Sequence, residues 1–104
     1  MSNSLSRVIT LSAKCERVLL HALGDTPRYL KDQLLRSVNS IGANTAEGLG
    51  RADTSQRFFL RVARGSAVEA CYHLCIVNLP PMVKRSLKRR LRRINGELIK
   101  VLSR

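Results

Sequence analysis

Apolar residues recur every three or four positions in four successive stretches of this chain, and no stretch alternates in the manner of a strand. The first carries Leu5, Val8, Ser12, Cys15, Leu19 and Ala22 on one stripe and predicts a helix over about 5–23, stopped by Gly24 just past its end. Thr26 and Pro27 open the second as N-cap hydroxyl and first-turn proline. Its stripe is Leu30, Leu34, Val38, Ile41 and Thr45, and the helix is expected over about 27–49, ending at Gly48 or Gly50. Asp53 is placed to cap a third helix over about 54–78, with Gln56 completing a capping-box pattern. That helix carries Phe59, Val62, Ala63, Ser66, Ala67, Ala70, Leu74 and Val77. Pro80 ends it, and Pro80 and Pro81 introduce a fourth over about 81–103, striped by Val83, Leu87, Leu91, Ile94, Leu98 and Val101.

Tight joints around Gly24, Gly50 and Pro80 make consecutive helices antiparallel neighbours. The expected fold is all-α, an up-down-up-down four-helix bundle forming one domain over residues 1–104. Small residues crowd the middle of the second helix (Ser40, Gly42, Ala43, Ala46) and the third (Ala63, Gly65, Ser66, Ala67, Ala70), which predicts a close approach of the two. Leu11, Leu20, Leu35 and Ile99 lie off the main stripes. That surplus apolar surface is suited to self-association.

Charge changes the picture most on the fourth helix. From Lys84 to Arg93 it holds Lys84, Arg85, Lys88, Arg89, Arg90, Arg92 and Arg93 with no acidic residue among them. One side of this helix seeks a core while the other seeks an anion. Arg57, Arg61 and Arg64 repeat the theme at spacings of four and three on the third helix. The whole chain has 19 Lys+Arg against 7 Asp+Glu, a formal net charge of +12 in 104 residues. A solvated face explains one cationic run, but an imbalance of this size exceeds what solubility needs and points to a polyanionic partner. Arginine predominates, which suits bidentate phosphate contacts. The few aromatics, Tyr29, Phe58, Phe59 and Tyr72, leave little platform for base stacking, so binding is expected at backbone phosphates with weak sequence preference.

Other chemistry finds little footing. His21 and His73 are the only histidines, no glycine-rich phosphate loop follows a strand, and no credible catalytic triad order exists. Cys71 and Cys75 are one turn apart with His73 between them on another face. Zinc would need Cys15 or His21 as well, and the usual C-x-x-C spacing is missing. No catalytic residue, metal or cofactor is therefore expected. No apolar run approaches the length of a membrane span. Lys14, Glu16 and Arg17 interrupt the start too early for a secretory segment, so a cytoplasmic location with reduced thiols is the expectation.

Residues 40–51 read S-I-G-A-N-T-A-E-G-L-G-R. This resembles the S-I-x-x-N-I-A-E-G-x-G-R signature of the four-helix-bundle proteins encoded within intervening sequences of bacterial 23S ribosomal RNA genes. Phe59, Leu60, Ala63, Gly65, Ser66 and Glu69 are similar to that family's F-L-x-x-A-x-G-S-x-x-E stretch, and residues 94–99 resemble its closing segment. Thr45 stands where isoleucine is usual, and Arg64 where an apolar residue is usual. The resemblance implies a homopentamer of bundles without enzymatic activity. The same fold is used by the accessory variability determinant of diversity-generating retroelements, a basic barrel that binds a reverse transcriptase and nucleic acid.

In the motif itself, Ser40, Asn44 and Glu47 share one helical face beside the apolar stripe. Asn44 and Glu47 are expected to bind helix-three side chains such as Ser66 or the Gly48–Gly50 turn, and Arg51 to pair with Glu47. This is a packing network more than a contact surface. On charge density the favoured function is a retroelement accessory subunit binding RNA or DNA and the polymerase. The alternatives are a ribosomal intervening-sequence protein, or a docking module for an acidic protein. An anionic membrane is disfavoured because bulky apolar anchors are missing from the basic face.

Overall fold

The structure is a computed structural model and describes residues 3–22, 24–51 and 53–104. It is an all-α four-helix bundle: α1 (Asn3–Ala22), α2 (Arg28–Leu49), α3 (Ser55–Ile76) and α4 (Pro81–Leu102). There is no strand among the described residues. Each helix packs on two others, α1 on α2 and α4, and α3 on α2 and α4, closing a ring around one core. The molecule is rod-like, 43 × 22 × 19 Å.

The four stripes meet in that core. Leu5, Val8, Cys15 and Leu19 of α1 and Leu34, Val38 and Ile41 of α2 are buried. So are Leu60, Ala63, Ala67, Ala70 and Leu74 of α3, and Leu87, Leu91, Ile94 and Leu98 of α4. Helical periodicity dictates this arrangement, because positions three and four apart fall on one side of the cylinder. Four hydroxyls are buried, those of Ser4, Ser12, Ser37 and Thr45, and each has a hydrogen-bond partner. Ser12 Oγ donates to the Val38 carbonyl across the α1–α2 seam at 2.9 Å, and Thr45 Oγ1 donates to Ile41 O one turn back at 2.7 Å. Thr45 is thus a core residue of α2, fully buried.

Small residues shape the joins in a more divided way than their clustering predicts. Gly42 faces α1, where an added Cβ would sit 3.0 Å from Ser12 Oγ. Gly48 faces α3, where a Cβ would meet Leu60 at 3.0 Å and the Gln56 carbonyl oxygen at 3.3 Å. Ala43, Ala46 and Gly65 are exposed. Of the off-stripe residues, Leu11 and Leu35 pack against the core after all, while Leu20 and Ile99 stay exposed. Val62, expected on the α3 stripe, also faces outward.

The helix ends sit within two residues of the expected places, and proline geometry explains two of them. Pro27 and Pro80 both have ψ 138°, extended, so each is the N-cap itself and its carbonyl accepts the first helical amide, from Lys31 and Lys84 at 3.0 Å. Thr26 therefore lies outside the cap. At α3 the N-cap is Thr54, and Asp53 Oδ1 instead accepts the Ser55 amide at 3.0 Å together with its hydroxyl. Those bonds hold the Asp53 carboxyl below its usual pKa of 3.8. Gln56 does not close a capping box. Its amide reaches back to the carbonyls of Gly48 at 2.9 Å and Arg51 at 3.1 Å. Gly24 has the one positive φ among the described residues, 27°, and leads the chain away from α1.

Candidate nucleic-acid interface

The signature residues form a packing network at the α2–α3 join. Ser40 Oγ meets Ser66 Oγ at 2.8 Å. Asn44 stays on its own helix, donating to Ser40 O at 2.9 Å and Ser40 Oγ at 3.0 Å. Glu47 takes two bonds from Arg51, at 3.1 and 2.7 Å, and the Arg51 guanidinium lies 4.9 Å over the Phe59 ring. The contact to Ser66 is thus made by Ser40 rather than by Asn44 or Glu47. One turn earlier, Ser37 Oγ donates to Glu69 Oε1 of α3 at 3.0 Å. Gly48 and Gly50 serve the turn: Gly48 allows α3 close approach, and the Gly50 amide caps α2 by donating to Ala46 O at 3.1 Å.

The basic residues of α4 divide between two grooves. Leu87, Leu91, Ile94 and Leu98 fix the rotation of α4, and the remaining positions follow from it. Lys88 and Arg92 turn toward α3, lining a groove of about 370 Å³ with Cys71, Cys75, Val68 and Asn95. Arg89, Arg90 and Arg93 turn toward α1, where they line a cleft with Lys14, Ser86 and Leu11. Arg85 is exposed, as are Lys88, Arg89, Arg92 and Arg93; Lys84 and Arg90 are half-buried. Among the described residues, no cation from Lys84 to Arg93 pairs with a carboxylate; the ion pairs are Arg7–Glu97, Lys100–Glu97, Arg28–Asp32 and Arg51–Glu47.

The α3 arginines are less uniform than their spacing suggests. Arg61 and Arg64 are exposed beside Gly65 and Val68. Arg57 is exposed too, but its Nη2 donates to the Leu102 carbonyl, so it also caps the end of α4. Lys14 is the basic residue that sequence reasoning missed. It is isolated on α1, and only folding brings it beside a helix far away in the chain.

The thiols occupy two environments. Cys15 is buried, and burial pushes its pKa up to about 11 against the pull of Arg90. Cys71 and Cys75 are exposed in the α3–α4 groove. Partial burial and the neighbouring Cys75 raise the Cys71 thiol, while Arg92 and Lys88 oppose that shift. The Asn95 Oδ1 in the same groove is buried without a hydrogen-bond partner. No helix among the described residues is long and apolar enough to cross a membrane.

The family model of the 23S rRNA-intervening sequence protein matches residues 6–104. The chain belongs to that family. Among solved structures, a protein of unknown function from the S23 ribosomal protein family of Bacteroides thetaiotaomicron VPI-5482 is similar in fold. It is 20% identical, with a TM-score of 0.84 over 97% of this chain and 99% of that one. No curated protein matches the chain. These matches back the ribosomal intervening-sequence alternative over the retroelement accessory role that charge density favoured, for which they offer no counterpart.

Proposed function

We propose that this intervening-sequence family member is a non-enzymatic nucleic-acid-binding protein that holds RNA or DNA by its backbone phosphates. The contacts come from the α4 cations, with Arg61 and Arg64 of α3 adding to the field and Arg57 contributing less because it also caps α4. The observation that carries this reading is the unpaired state of seven cations within ten residues of α4 among the described residues. Intramolecular ion pairs would have neutralised them if their purpose were stability. Left unpaired, they repel one another and draw a polyanion. A phosphate backbone matches because each neutralised phosphate releases condensed counterions, a gain that needs charge density and little shape.

The same reading includes an antiparallel order of helices and self-association, with the pentamer implied by the family resemblance as the form to test. Two observations support self-association through α3. Its outer side exposes Phe58, Val62, Val68, Tyr72 and Ile76, opposite its core stripe. Gly65 lies among them, and a Cβ there would meet nothing within 4 Å. A helix-interior glycine with open space around it has no use inside its own bundle, but it permits close approach of a second helix. An oligomer would multiply phosphate contacts across copies.

The test is the triple variant R89Q/R92Q/R93Q, all exposed positions whose replacement leaves the core intact. Binding to unrelated oligonucleotides should weaken to a similar degree for every sequence, with a shallower salt dependence. Unchanged affinity at physiological salt would refute the reading, as would a parent protein that binds an acidic protein and no nucleic acid.

A further inference from the structure

The cleft between α1 and α4 has the make-up of a discrete anion site. It encloses about 240 Å³ and is lined by Lys14, Arg89, Arg90 and Arg93 with Ser86 and Leu11, four cations and no carboxylate. Each of the two helices carries a single carboxylate among its described residues, Glu16 on α1 and Glu97 on α4, and both are engaged elsewhere. Glu16 accepts a hydrogen bond from Asn39 of α2 at 3.2 Å. Glu97 is held by the Ser4 hydroxyl, Arg7 and Lys100. Arg90 is the sharpest case. It is half-buried, yet it donates to a neutral acceptor, Nη1 to Ser86 Oγ at 2.9 Å. Its other donors have no protein acceptor among the described residues and open onto the cleft, where a phosphate oxygen would meet them. Accepting from Arg90 also leaves the Ser86 hydroxyl with its own proton to donate.

We propose that this cleft is a phosphate site, in which Arg89, Arg90 and Arg93 supply forked donors, Lys14 a point charge and Ser86 a hydroxyl donor to one phosphate group. The proposal rests on the nucleic-acid reading for the source of that group, a backbone phosphate of a bound strand. It adds to that reading a seat at a fixed place on the bundle, where α4 alone would provide only a diffuse field. Lys14 ties the seat to the packing of α1 on α4, so the site exists only in the folded protein.

The experiment compares two charge-matched double variants. K14Q/R90Q removes two cations from the cleft; R17Q/R36Q removes two exposed cations of α1 and α2 that line neither groove. Oligonucleotide affinity at physiological salt should fall about tenfold or more for the first and about threefold or less for the second. In parallel, the Arg90 Nε–Hε resonance is followed during titration with inorganic phosphate and with the oligonucleotide. A shift with both marks a seat open to free phosphate as well, and a shift with the oligonucleotide alone marks a backbone-phosphate seat; either supports the proposal. If K14Q/R90Q fails to fold, K14Q/R93Q, both exposed, replaces it with the same expectation.

Equal losses for the two double variants, or an Arg90 resonance unmoved by either titrant, would overturn the cleft and leave general nucleic-acid binding standing. A parent that binds no oligonucleotide would overturn the nucleic-acid reading instead. In that case a saturating shift with inorganic phosphate sustains a free-phosphate cleft, and its absence removes the cleft too.

Discussion

Gly48 and Gly65 put the same residue type to opposite uses on neighbouring helices. At Gly48 a methyl group would press on Leu60 and on the Gln56 carbonyl, and backbone yields less readily than a side-chain tip. G48A should therefore destabilise the protein by about 1–2 kcal/mol, overpacking outweighing the gain in helix propensity. At Gly65 a methyl group meets open space, so G65A should stabilise the isolated chain by about 0.5–1 kcal/mol. Urea unfolding of the two variants checks both signs. The cysteines give a second residue-scale expectation. With its pKa raised to about 11 by burial, Cys15 is both shielded and un-ionised at neutral pH, whereas Cys71 and Cys75 are exposed. A thiol-alkylating reagent near pH 8 should modify Cys71 and Cys75 in the native protein and reach Cys15 only after denaturation.

On the scale of elements, α4 is held by its stripe on one side and by Glu97 at its far end. Leu91 is 2% exposed beneath the basic residues, and L91A should cost about 2–5 kcal/mol and loosen the surface that carries them. Glu97 makes the α1–α4 seam sensitive to acid. The Ser4 hydroxyl, Arg7 and Lys100 hold its carboxyl below the usual 4.5. A depressed folded-state value means that the stabilisation is fully present above the unfolded pKa and is lost as pH falls through the lower folded one. The urea midpoint should fall as pH drops below about 4.5, less steeply in E97Q than in the parent.

The stripes themselves were legible in the sequence because burial imposes a period of 3.6, and Leu87, Leu91, Ile94 and Leu98 are all buried as that period predicts. The caps were less so, since whether Pro27 is a cap or a first helical residue depends on its ψ, which sequence does not display. The basic character of α4 was equally plain. Its division between two grooves was not, because grooves are made by the neighbours: Cys71 and Cys75 on one side, Lys14 on the other. The network around Ser40 shows the same limit, since the way α2 and α3 pack puts Ser40, rather than Asn44 or Glu47, against Ser66.

As a whole molecule, the bundle combines a closed apolar core with an outward α3 surface and, among the described residues, a run of cations from Lys84 to Arg93 without carboxylate partners. If copies associate through α3, light scattering should show an assembly at micromolar concentration. G65A should weaken that assembly even though it stabilises the single chain, and a stable monomer in the parent would remove the oligomer from the account. The central claim concerns the cations and has a more direct test. Fluorescence anisotropy of the parent protein should be measured with a single strand and a duplex of unrelated sequence across a salt series. The account predicts binding to both, with little preference between sequences. It also predicts a linear fall of log affinity with log salt, by about 0.7 to 0.9 for each phosphate neutralised. Absence of binding at low salt, or an affinity indifferent to salt, would contradict it.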